Sequence, residues 1–159
     1  SVMRNAADIV MKPGDTVKIY SRRAPLAVNF RLNQCTGYLN VSKYVPALPN
    51  QCPKLYESRS ELSTYSAECQ DYVLGLNKCD GPLTKLPNFD DQECFNGLLE
   101  RASYEGCFTA HQSDEDFFLN EWRVWLGTSQ EEQVNILHPT HDRVLLFDEK
   151  GLLVDEFFY

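Results

Sequence analysis

Val144-Leu145-Leu146-Phe147-Asp148-Glu149-Lys150-Gly151-Leu152-Leu153-Val154 reads as a β-hairpin. Two apolar runs flank a four-residue charged loop that ends in glycine, the residue best suited to a tight reversal. The tail Asp155-Glu156-Phe157-Phe158-Tyr159 prolongs the return strand, predicted over 152–158, and finishes on three aromatics. Working back from this hairpin, Glu121-Trp122-Arg123-Val124-Trp125-Leu126 alternates, with Trp122, Val124 and Leu126 on one face. The same grammar opens the chain. Pro13-Gly14-Asp15 is a turn signal, and Thr16-Val17-Lys18-Ile19-Tyr20 then alternates as a half-buried strand. Ala27–Leu32 alternates too, with Val28, Phe30 and Leu32 on one face, and Asp8-Ile9-Val10-Met11 is a short candidate strand. Strands therefore stand at both ends.

The middle has another period. From Cys35 to Pro53, three prolines predict irregular structure. Leu62, Tyr65, Cys69, Tyr72, Val73 and Leu76 then recur at helical steps, with Ser60 or Ser63 to start the helix and Gly75 or Asn77 near its end. Asn88 or Asp90 can cap a second helix bearing Phe95, Leu98, Leu99 and Ala102, and a third runs from about Tyr104 to His111. The expected fold class is α+β: 1–34 as the first strands of an antiparallel β-sandwich, 35–118 as an irregular, helical, cysteine-rich insertion, and 119–159 as the closing strands.

All six cysteines, Cys35, Cys52, Cys69, Cys79, Cys94 and Cys107, fall inside that insertion. No CxxC or CxxH pair occurs, so structural zinc is disfavoured and disulfides in an oxidising compartment are expected. A helical hairpin about Pro87 would face Cys79 with Cys94 and Cys69 with Cys107, leaving Cys35 with Cys52. Sequence alone leaves other pairings open.

Charge is uneven. Residues 1–60 carry nine Lys/Arg against three Asp/Glu, and 61–159 carry six against twenty. A net charge of −8 argues against non-specific nucleic-acid binding. No apolar run approaches the roughly 18 residues of a membrane span. Ser1-Val2-Met3-Arg4 leads into no secretory apolar core, so the chain is expected to be a processed product or a piece of something longer.

The ends bear a family resemblance. Asp8–Arg22 (DIVMKPGDTVKIYSR) and His141–Tyr159 (HDRVLLFDEKGLLVDEFFY) resemble the later strands of prokaryotic lamin-tail domains, with their "PGDxVxIY" strand and closing hairpin. VNFRLNQCTGYLN (Val28–Asn40) and NEWRVWLG (Asn120–Gly127) resemble longer secreted variants from small-genome, uncultured bacteria. The resemblance implies an immunoglobulin-like sandwich, an extracellular or cell-surface location, and binding without catalysis. It supplies no catalytic residue. Two departures stand out: the family's opening strands would precede Asp8, and a helical segment interrupts the sheet.

Chemistry is sparse. His138, His141 and Asp142 form H-P-T-H-D, a weak metal candidate, since Pro139 argues for an ordinary loop. His111 near Cys107 suggests a nucleophilic pair only if that thiol is free. Ser113-Asp114-Glu115-Asp116 offers oxygens for calcium but lacks the EF-hand pattern, and Asn40-Val41-Ser42 matches a glycosylation acceptor. Arg22 and Arg23, with Arg31 nearby, can grip a phosphate, sulphate or acidic glycan, or simply neutralise the acidic insertion. No P-loop, GxSxG or HExxH occurs.

These readings converge on a non-catalytic, extracytoplasmic binding or scaffolding module of a surface protein, without cofactor, whose partner is a protein or surface polymer. An unpaired sheet edge would invite strand addition by a second copy. The alternatives are an accessory domain of a secreted hydrolase or nuclease, and a small metalloenzyme built on His138, His141 and Asp142.

Overall fold

The structure, a computed structural model, describes residues 9–56, 58–127 and 137–159. It is mixed α+β: β1 (Thr16–Tyr20), β2 (Phe30–Asn33), α1 (Ala67–Leu74), α2 (Gln92–Arg101), α3 (Tyr104–His111), β3 (Phe118–Trp125), β4 (Arg143–Phe147) and β5 (Leu153–Phe158). Short 3-10 turns cover Thr36–Ser42 and Arg59–Leu62. Ile9–Met11 forms no strand, and Asp8 lies outside the described residues.

β3 is the centre of a three-stranded sheet ordered β1-β3-β2. β2 runs antiparallel to it, but β1 runs parallel, Thr16 beside Glu121 through Tyr20 beside Trp125. The expectation of purely antiparallel strands is thereby corrected. Parallel neighbours need a long crossover, and the segment from β2 through α3 supplies one. β4 and β5 form a separate antiparallel pair.

The centre of the sheet is buried on both sides: Val124, on the expected face, is 6% exposed, but the main core lies against the other face. Trp125, not Trp122, enters the main apolar cluster, with Ala24, Leu32, Leu39, Tyr44 and Leu48. Its indole meets Tyr20, Phe30 and Tyr44 at ring distances of 5.4–5.5 Å. Arg123 is buried on the same face, where Glu121 holds it in an ion pair and its guanidinium lies over the Tyr20 ring. Leu126, on the other face, is 52% exposed, and Ile19 is 58% exposed.

The helices start where side chains meet orphan N–H groups. Ser66, Asp91 and Ser103 cap α1, α2 and α3, accepting from Cys69, Cys94 and Gly106. The expected caps at Ser60, Ser63, Asn88 and Asp90 are each displaced by one to six residues, while Gly75 does end α1. Asp91 also accepts from the Ser66 N–H at 3.1 Å, which brings the starts of α1 and α2 together. Cys69 and Cys94, each the third residue of its helix, are therefore joined. The other bonds are Cys35–Cys107 and Cys52–Cys79. All six cysteines are paired, but none as a helical hairpin about Pro87 would pair them. The helices meet at their starts and α3 is a separate element, so equal distance from Pro87 carries no spatial meaning. Gly37 lets the chain pass against Cys52–Cys79: a Cβ there would collide with both sulfurs.

Asn33 locks sheet to helices. Its buried amide donates to the Tyr104 hydroxyl at 2.8 Å and accepts from the Cys35 N–H at 2.9 Å, so this buried polar group is satisfied.

Candidate functional site

Two features stand out: a cavity beside Cys52–Cys79, and the exposed β4–β5 hairpin. The cavity is about 620 Å³, walled by Tyr38, Leu55, Tyr56 and Val73 and rimmed by Lys78 and Asp80. Burial pushes the Tyr38 and Tyr56 hydroxyls up to about 12, the latter aided by its Tyr65 neighbour. Both stay protonated at neutral pH and neither can act as a base there.

The sequence candidates disperse. Arg31 does not join Arg22 and Arg23 as an anion grip. Its guanidinium pairs with Asp15 at 2.9 Å and donates from Nε to the Leu119 carbonyl, so its donors serve the start of the sheet. Arg22 and Arg23 stay exposed at the end of β1.

His138 and His141 lie close, with ring centroids 4.1 Å apart. Their Nδ1 atoms both engage the Thr140 hydroxyl, while Asp142 accepts the backbone N–H groups of His138 and Arg143. Those bonds, the His138 N–H first, hold the Asp142 carboxyl below its usual range. The trio builds the turn that enters β4. Among the described residues, the grouping of three donor atoms within 4.8 Å is instead Cys69, Asp91 and Cys94. There the sulfurs are bonded to each other and the carboxylate caps α2.

Cys107 is bonded to Cys35, so it cannot pair with His111 as a nucleophile. His111 and Asp114 pair with each other at 2.9 Å, closing the turn after α3. The Asn40 side chain clamps the Leu48 backbone through both its amide atoms.

The hairpin is different in kind. Every residue of β4 and β5 is exposed. Val144, Leu146 and Phe157 share one face, and Leu145, Phe147, Leu153 and Phe158 the other. The cue was in the sequence: four consecutive apolar residues break the alternation of a strand with one wet face, so both faces are apolar. What was not visible is that nothing within the described residues covers either face. Two-stranded hairpins are marginal alone in water, and apolar patches of this kind mark interaction sites.

Comparison with protein-family models, with curated proteins and with solved structures finds no match to the chain.

Proposed function

We propose that this chain is a non-catalytic binding or scaffolding module that works outside the cytoplasm and presents the β4–β5 hairpin to a partner. The carrying observation is that hairpin: Leu152, Val154, Phe157 and Phe158 are each more than 60% exposed. The three disulfides are compatible with an oxidising, extracellular setting, and among the described residues no helix is long and apolar enough to cross a membrane. The lamin-tail resemblance of the two ends fits this reading.

The test separates a docking surface from a core. Leu146→Ser and Phe157→Ser should sharply reduce binding of a hydrophobic dye such as bis-ANS and leave the unfolding midpoint nearly unchanged. Loss of several kcal/mol of stability, as for a buried Leu or Phe, would mean the hairpin is packed and would refute the reading.

A further inference from the structure

Resting on that reading, we propose that the partner is a second copy of this chain: the β4–β5 hairpin of one copy docks on the β1 side of the three-stranded sheet of the next, head to tail. Among the described residues the acceptor is unfilled. β1 pairs only with β3 among the described residues, so its other edge is open. The Tyr20 carbonyl accepts from the Leu126 N–H, toward β3. Because successive residues of a strand direct their N–H and C=O groups to opposite sides, those of Val17 and Ile19 face the open edge. Ile19 and Leu126 present exposed apolar side chains on the same face of the sheet.

Charge selects which surfaces meet. Residues 9–23 hold Lys12, Lys18, Arg22 and Arg23 against Asp15, a net +3. Residues 142–159 hold five acidic and two basic side chains, a net −3. Pairs within each surface leave this contrast standing. Lys18 pairs with Glu121, Asp15 with Arg31 and Arg143 with Glu156. Lys12, Arg22 and Arg23 then face Glu149 and Asp155, while two hairpins, or two β1 edges, would repel each other. Head-to-tail contact uses different patches on the two copies, so it builds chains or rings rather than a closed pair.

The experiment follows the mass of the full chain in solution with increasing concentration, for the wild type and two charge-reversed variants. The first, Arg22→Glu/Arg23→Glu, spoils the acceptor; the second, Glu149→Lys/Asp155→Lys, spoils the hairpin. The wild type should self-associate, less so as salt rises from about 0.05 to 0.5 M. Each variant alone should associate at least roughly ten-fold more weakly, and an equimolar mixture should regain association, because opposite charges then meet at every junction. That rescue also shows both variants to be folded. An acceptor variant that associates like the wild type would overturn the head-to-tail arrangement. A wild type that stays monomeric at every concentration would overturn self-docking altogether. In that event bis-ANS decides the broader reading: dye bound at the hairpin leaves a surface for a different partner, whereas no dye binding means the hairpin is covered by its own chain and both proposals fall.

Discussion

Replacing Cys35 and Cys107 together by Ala should remove the largest single covalent constraint on the fold. The bond closes 72 residues of chain. Loop-closure entropy for that length gives about 4 kcal/mol, against about 3.5 kcal/mol for Cys69–Cys94, which closes 25. A loss of about 4 kcal/mol is a large share of the roughly 5–15 kcal/mol that holds an ordinary domain together. With a urea slope of about 2 kcal/mol per molar, the midpoint falls by about 2 M. Unfolding is followed by tryptophan fluorescence, since Trp125 lies in the main apolar cluster, which Tyr104 joins to the cluster holding Cys35 and Cys107. Thiols are titrated in the same sample under denaturant. The doubly substituted chain should show none, because Cys52–Cys79 and Cys69–Cys94 remain closed. Two reactive thiols would refute the reasoning: they would come from Cys52 and Cys69, orphaned if Cys35 paired with Cys52 and Cys69 with Cys107.

Trp125→Ala should cost about 3–5 kcal/mol in denaturant unfolding and Trp122→Ala less, because the first indole is buried among three rings and the second is half-exposed; the reverse order would put the core on the wrong face of β3. The Asp91 carboxyl is held below its usual value, mainly by the Cys94 N–H and then by Ser66. A depressed folded pKa contributes stability above the unfolded value and loses it as pH falls through the folded one, so melting temperature should drop below about pH 4 and Asp91→Asn should flatten that drop. Gly37→Ala should lower the urea midpoint by the equivalent of about 1–3 kcal/mol, because its methyl overlaps the Cys52–Cys79 sulfurs.

The locally encoded parts of the fold were legible. β1 matches the alternating run Thr16–Tyr20, β4 the apolar run Val144–Phe147 to within one residue and α3 the expected helix Tyr104–His111, because turn residues and caps beside them fix their ends. The long-range parts were not. That the main core lies against Trp125 depends on Leu39, Tyr44 and Leu48, whose irregular segment folds over it and shows no period to read. The Cys69–Cys94 partnership goes with Asp91 bridging two helix starts, a contact across 25 residues. At the candidate site, the unbroken apolar run Val144–Phe147 announced two apolar faces. That no described residue covers it is a tertiary fact with no local signature.

The three sulfur bridges also set how the molecule responds to being cut. Cys52–Cys79 and Cys69–Cys94 interlock along the chain, and both lie within the span closed by Cys35–Cys107. Every peptide bond from residue 36 to 106 is therefore inside at least one covalent ring. A protease that nicks a surface turn there opens a ring without releasing a fragment, and only a reductant lets the pieces part. The hairpin belongs to no ring. In an environment rich in proteases, this chain would lose its apolar tip at a single cleavage before β4, while the cysteine-bound body stayed whole.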